Sequence, residues 1–225
     1  MNILALDTSD RVLSVALSIN SSRWYMEIDD GSRHSELLMD CIDLLCKKAD
    51  FNPDKLDSVV CMKGPGSFTG LRIGFSAAKG LASALGIPVY SIPTLDCLAY
   101  HLSVWPGLVI PSMDAKKNCF FSAIYQNGKR LTGYLDSSSE ELSSEILKIS
   151  SNYESIILTG SGAEMLKTQI TTHISGKQVV IDPEYRKGRA GELIKITNNA
   201  SITLDNSIDS GPAYFRKSDA ELKWG

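Results

Sequence analysis

The chain has 225 residues, with 23 Lys and Arg against 26 Asp and Glu, and its 43% hydrophobic and 22% charged content is that of an ordinary globular protein. This excludes a disordered or fibrous chain and leaves room for one large domain or two lobes, each with its own core. A protein that grips nucleic acid unaided shows a basic excess, because phosphate neutralisation supplies most of its affinity; at a net charge of −3 any such role is indirect or shared.

Short apolar runs bounded by turn residues predict strands over Ile3–Asp7, Val12–Ile19 and Arg23–Ile28. Over His34–Ala49 the apolar residues Leu37, Leu38, Cys41, Ile42 and Leu45 recur at helical spacing, with Glu36, Asp40, Asp43 and Lys47 on the other side. A buried strand follows over Asp57–Lys63, then a second helix over Thr69–Leu85. The order then repeats. Leu108–Asp114, Cys119–Tyr125 and Arg130–Leu135 read as strands, Glu140–Ile149 as a helix, Ser155–Thr159 as a strand, and a helix begins near Ala163. Val179–Ile181 and Ala190–Thr197 supply a last strand and helix. Asp7 and Asp114 fall at the same point of each unit. Each half is therefore βββαβα, joined near Trp105–Gly107, and the expected lobes are residues 1–107 and 108–225.

The five cysteines form no Cys-x-x-Cys pair and lie mostly among apolar neighbours, so they read as reduced core residues of a cytoplasmic protein. The N-terminus lacks the basic region and the apolar length of a signal peptide. Between Lys79 and Asp114 the only full charge is Asp96, but Pro88, Pro93, Pro106 and Pro111 break that stretch into pieces too short to span a membrane.

Gly64-Pro65-Gly66-Ser67-Phe68-Thr69-Gly70-Leu71-Arg72-Ile73-Gly74 lies between a buried strand and a helix. Ser67 or Thr69 can cap that helix. Its free amides make an anion site one reading and tight strand-to-helix packing the other. It is not a Walker A loop, because no Gly-Lys-Ser/Thr follows at the required spacing. On the helix, Gly70, Gly74, Ala77 and Gly80 keep one surface small, either for its own sheet or for a partner's helix.

Two α/β lobes with a carboxylate after the first strand of each resemble the actin-like, sugar-kinase and Hsp70 ATPase architecture. The run Gly64–Gly74 closely resembles the central motif of the bacterial TsaB/YeaZ family of tRNA threonylcarbamoyladenosine biosynthesis proteins, in the TsaD/Kae1-like superfamily. Ile3-Leu4-Ala5-Leu6-Asp7-Thr8-Ser9, Arg33-His34-Ser35-Glu36, Ala78-Lys79-Gly80-Leu81-Ala82, Asp114-Ala115-Lys116-Lys117 and Pro212-Ala213-Tyr214-Phe215-Arg216 are similar to its other motifs, in order along most of the chain.

The resemblance implies a non-catalytic partner subunit in the formation of N6-threonylcarbamoyladenosine at position 37 of tRNAs reading ANN codons. It implies TsaD as the transferase that carries the metal, TsaE as ATPase and a TsaC-type synthase as source of threonylcarbamoyl-adenylate. Nucleotide, ATP or ADP, is then expected only in the complex, tRNA only indirectly, and a homodimer when the protein is alone. The expected partner surface is Leu38, Cys41, Ile42 and Leu45 of the first helix with Gly70, Arg72, Ile73, Gly74, Ala77 and Gly80 of the second. Phosphate-type candidates are Asp7, Thr8, Ser9, His34, Gly64, Pro65, Gly66, Ser67 and Asp114.

Metal-ligand spacing is not found, since His34, His101 and His173 are far apart and no i, i+4 pair exists. The glycoprotease label of the wider family is thus unsupported by these residues. His34 reads as a capping or salt-linked surface histidine in preference to a cleft residue. Asp7 and Asp114 either hold a metal–nucleotide complex or satisfy donors of tight turns. Beyond Leu158-Thr159-Gly160-Ser161-Gly162 no adenosine-pocket motif is evident. Arg186-Lys187-Gly188-Arg189 reads as a solvated loop before an RNA contact. The rival functions are an autonomous actin-fold phosphotransferase acting on a small metabolite and a metalloprotease.

Overall fold

A computed structural model describes residues 1–31, 33–149, 153–199 and 211–214. In chain order the elements are β1 (Ile3–Asp7), β2 (Leu13–Ile19), β3 (Ser22–Ile28), α1 (His34–Lys48), β4 (Ser58–Gly64), α2 (Phe68–Leu85), β5 (Val89–Pro93) and α3 (Thr94–Tyr100). They continue with β6 (Leu108–Asp114), β7 (Cys119–Ser122), β8 (Tyr125–Gln126), β9 (Lys129–Arg130), β10 (Leu135–Ser138), α4 (Ser139–Ile149), β11 (Ser155–Thr159), α5 (Ala163–Ile170), β12 (Gln178–Ile181) and α6 (Ala190–Thr197).

The fold is α/β and duplicated, as the repeat predicts. The first sheet runs β3-β2-β1-β4-β5, and the main path of the second runs β10-β7-β6-β11-β12. In each, the first three strands pair antiparallel and the last three parallel. Parallel neighbours need crossover helices, which α1 and α2 supply in the first sheet and α4 and α5 in the second.

In the first sheet, Leu4, Leu6, Val15 and Leu17 pack with Leu38, Cys41, Ile42 and Leu45 of α1 and with Phe75, Ala78 and Ala82 of α2. Each fully buried side chain of this size contributes about 1.5–3 kcal/mol. Glu36 in the first turn of α1 and Lys47 and Lys48 in its last complement the helix dipole. In α2, Ser67 is the cap, its Oγ accepting from the Gly70 amide at 3.2 Å, and Gly86 ends the helix at φ +67°. The opposite sheet face, with Ile3, Ala5 and Ala16 buried, carries α6.

That packing redraws the lobes. The compact units are Met1–Cys97 with Lys187–Gly225, and Leu98–Arg186, so the expected boundary after residue 107 is not where the contacts divide. The apolar face of α6, with Leu193, Ile194 and Ile196, buries against β1, β2 and β4 although its sequence follows the second repeat.

In the second unit Leu108, Ile110, Phe120, Ile156 and Leu158 form the core with Leu142 and Ile146 of α4 and Leu166 and Ile170 of α5. Two expected strands differ here. The expected Cys119–Tyr125 is broken at Ala123–Ile124 into β7 and β8, and beyond β8 the turn residues Asn127 and Gly128, at φ +49° and +72°, fold a two-residue hairpin into β9. The third strand is then β10, paired with β7, in place of Arg130–Leu135. The run of prolines also concealed β5 and α3; β5 is an edge strand, where a proline such as Pro93 is tolerated. No helix of the described residues is long and apolar enough to cross a membrane.

Candidate functional site

The turn after β1 is closed by its own side chains. Asp7 Oδ1 accepts from the Ser9 amide at 3.0 Å and from Ser9 Oγ at 2.7 Å, while Oδ2 accepts from the Arg189 amide at 2.9 Å. Burial pushes this carboxyl above its ordinary value, with the Ser9 and Arg189 hydrogen bonds opposing. Both oxygens are therefore committed to the fold, which is the turn-locking arrangement.

The glycine motif packs on that same turn. Ser67 donates its amide to the Ser9 carbonyl at 2.7 Å, and Thr8 Oγ1 donates to the Gly70 carbonyl at 2.7 Å. A Cβ at Gly66 would strike the Ser9 carbonyl, at Gly70 the Thr8 carbonyl, and at Gly74 the Thr8 hydroxyl. Gly66, Gly70 and Gly74 thus form the stripe along which α2 approaches β1 within one chain. Gly64, at φ +112°, faces the Ala213 carbonyl, and the Ala213 amide donates to the Lys63 carbonyl at 2.7 Å. Pro65 is buried beside them.

The expected partner surface separates into two groups. Leu38, Cys41, Ile42 and Leu45 are at most 5% exposed and belong to the core of their own lobe, so they are corrected from partner surface to core. Helical spacing located the apolar face of α1 but not what covers it. Gly70 and Gly74 are likewise buried against Thr8. Arg72 and Gly80 are exposed, and Ile73 and Ala77 are half-buried. The exposed apolar side chains of α1 are Met39 and Leu44, which the periodicity did not single out.

His34 is also corrected. It is buried, and its Nε2 donates to the Asp10 carbonyl at 2.7 Å, while Glu36 pairs instead with Arg33 at 2.9 Å. The basic cluster is divided: Arg186 pairs with Glu164 at 2.7 Å in the second unit, whereas Gly188 and Arg189 are buried in the first. Tyr25 donates to the Gly188 carbonyl at 2.8 Å, and the Ala190 amide donates to Ser14 Oγ at 3.1 Å. The solvated-loop reading fails for these two residues because a bare Gly188 is what lets the chain pass close to Ser14.

In the second unit Asp114 accepts from the Lys116 amide at 2.7 Å and pairs with Lys116 Nζ at 2.8 Å. Partial burial raises its carboxyl, but the Lys116 contacts outweigh that and hold it below the usual range. Lys116, Lys117 and Asn118 all take positive φ, from +55° to +62°. Gly160 and Gly162 lie against Ser112, whose carbonyl accepts from the Gly162 amide at 3.0 Å.

A buried network that sequence reasoning missed joins His101 to Asp182 at 2.8 Å, with Thr159 Oγ1 donating to the same carboxylate oxygen at 2.7 Å. Burial works against this carboxylate, but His101, the Glu184 amide and Thr159 together hold it well below the usual range. No local signal relates residues so far apart. Four of the five cysteines are buried and all are unpaired, with burial pushing the Cys61 thiol up to about 12. Among the described residues no group of three His, Cys, Asp or Glu is placed to hold a metal ion.

The family described as TsaD, tRNA N6-adenosine threonylcarbamoyltransferase, matches residues 30–206. A protein from Bacillus subtilis named tRNA threonylcarbamoyladenosine biosynthesis protein TsaB is 27% identical over 100% of this chain and 98% of its own length. A protein of the same name from Haemophilus influenzae is 30% identical over 58% of this chain and 56% of its own. The solved structure of YeaZ from Pseudomonas aeruginosa superposes with a TM-score of 0.77 at 22% identity, covering 95% of this chain and 99% of that one, a likeness of fold.

Proposed function

The chain belongs to the tRNA N6-adenosine threonylcarbamoyltransferase (TsaD) family, on its TsaB/YeaZ branch, and from that premise we propose that it is a non-catalytic partner subunit in N6-threonylcarbamoyladenosine formation. The observation that carries the reading is the full-length match to a relative named for that pathway. In this reading the protein acts in the cytoplasm with TsaD as the transferase and TsaE as ATPase, at position 37 of tRNAs reading ANN codons. A TsaC-type synthase supplies threonylcarbamoyl-adenylate. ATP or ADP binds in the complex, tRNA contacts are indirect, and the isolated protein dimerises.

The chemistry of the first lobe supports a scaffolding role. Asp7 spends both oxygens on Ser9 and Arg189, and the glycine stripe is spent on close packing against Thr8 and Ser9. The surface left for a partner is the outer side of α1 and α2, with Met39, Leu44, Arg72 and Gly80 exposed. The test is mass-spectrometric measurement of the modified nucleoside in tRNA from cells depleted of this protein. Its loss is the expected result, and persistence at the undepleted level would refute the pathway assignment.

A further inference from the structure

We propose that Arg72 is a preset receptor for one carboxylate of a protein partner docking on α2, with Phe68 and Tyr214 as the residues that position it. The guanidinium carbon lies 3.8 Å from the centroid of the Phe68 ring and 5.8 Å from that of Tyr214, and the two rings are 4.7 Å apart. Arg72 Nε donates to Tyr214 Oη at 3.0 Å. Stacking and this bond use one edge and the flat faces of the guanidinium. The two Nη groups meet no acceptor among the described residues, and the residue is exposed.

The clamp is itself anchored. The register of β4 against β5 breaks between Met62 and Gly64, which leaves the Lys63 carbonyl outside the ladder. The Ala213 amide donates to that carbonyl at 2.7 Å, and the missing Cβ of Gly64 admits the Ala213 carbonyl. Tyr214 is therefore delivered to Arg72 from 142 residues away by a strap fastened at a β-bulge. A surface arginine ordinarily loses rotamer freedom when it docks; here that loss is already incurred on folding.

The exposed fork selects the occupant. Two parallel N–H groups match a carboxylate bidentately. The neighbouring helix α1 leaves Met39 and Leu44 exposed, an apolar surface that a protein partner covers and a phosphodiester backbone does not, and its exposed Glu36, Asp40 and Asp43 repel a polyanion more than they repel one carboxylate. The inference rests on the partner-subunit reading above.

The experiment is calorimetric titration of the full chain, and of its Arg72→Ala, Arg72→Lys and Tyr214→Phe variants, with the TsaD-type subunit encoded in the same genome. Thermal unfolding of each variant alone is the control. Arg72→Ala and Arg72→Lys are each expected to weaken binding about tenfold or more, since lysine keeps the charge but lacks the fork. Tyr214→Phe keeps the ring, loses the acceptor and is expected to weaken binding about threefold with little change in melting. If Arg72→Ala lowers the melting temperature, Arg72→Lys, which retains the apolar stem over Phe68, still gives the reading. Unchanged affinity in both Arg72 variants overturns the receptor while leaving the partner reading intact. Absence of binding by the unmutated chain defeats the partner reading, and the receptor with it. Retained subunit binding with loss of unmodified tRNA from the assembled complex shows that Arg72 reads phosphate, which also overturns the proposal.

Discussion

Asp7 and Asp114 each end the first strand of sheets with the same strand order, yet their surroundings differ in kind. Asp7 is buried, bound by Ser9 and by the amide that opens α6, and shifted upward because burial dominates. Asp114 is one-third exposed, is met among the described residues by the amide and ammonium of Lys116, and is shifted downward. A duplicated topology therefore assigns a carboxylate to a place but not to a role. The role follows from which donors close over it, and in the first lobe one of them, the Arg189 amide, comes from a segment that follows the second repeat. The second lobe has its own deep carboxylate, Asp182, held by His101 and Thr159. The buried anchor of one lobe thus ends β1, and that of the other directly follows β12.

This contrast can be broken experimentally, beginning with the largest effect. Asp182→Ala removes the acceptor of a buried pair and is expected to cost about 3–5 kcal/mol in denaturant unfolding. Its pH dependence has a definite sign. A carboxylate held below its ordinary pKa stabilises fully above that ordinary value and loses the contribution as pH falls toward its lowered one. The gap between the parent protein and Asp182→Ala should accordingly narrow on acidification; a gap constant from neutral to acid pH would disprove the pairing.

Next come two glycines of one helix. Gly70→Ala drives a methyl into the Thr8 carbonyl and is expected to destabilise by about 1–3 kcal/mol or more. Gly80→Ala meets nothing within 4 Å and should stabilise by about 0.5–1 kcal/mol through helix propensity. Thermal melts of the pair test whether the stripe serves close packing within the chain. Equal effects would mean that it does not.

The last pair compares the two turns directly. Asp7→Asn places an amide donor against either Ser9 or Arg189 and is expected to cost about 1–3 kcal/mol. Asp114→Asn loses a largely exposed ion pair and should cost about 0–1 kcal/mol. Because the folded Asp7 carboxyl is raised, the folded state holds its proton more tightly than the unfolded one. Its contribution is most favourable at acid pH and declines as pH rises through the raised value. The advantage of the parent over Asp7→Asn should shrink in that direction, and a growing advantage would contradict the burial assignment.

The legible part of this protein was whatever repeats locally. Period-two and period-3.6 patterns located β1, β2, α1, β4 and α2 and their equivalents in the second lobe, because burial of one face is written into neighbouring residues. The same patterns missed β5 and α3, where prolines read as breaks, and misplaced the third strand of the second lobe, where an Asn-Gly hairpin intervenes. Among site residues, Thr8, Ser9 and the glycines were found in the sequence, and of the two purposes it left open for them, a ligand site or close packing and turn closure, the structure shows the second. Periodicity shows that Leu38, Cys41, Ile42 and Leu45 share an apolar face; it does not show whether a sheet or a partner covers it.

By itself the sequence determined the α/β class, the duplication and the place of the glycine motif, since each depends on residues within one or two elements. Only the tertiary structure decided that Arg189 closes Asp7, that His101 meets Asp182, and that Tyr214 clamps Arg72. Those partners lie from 81 to 182 residues apart. At such separations no side-chain pattern encodes the pairing. It exists only where folding has closed the long stretch of backbone between the partners, an entropic cost that contacts within one element do not carry.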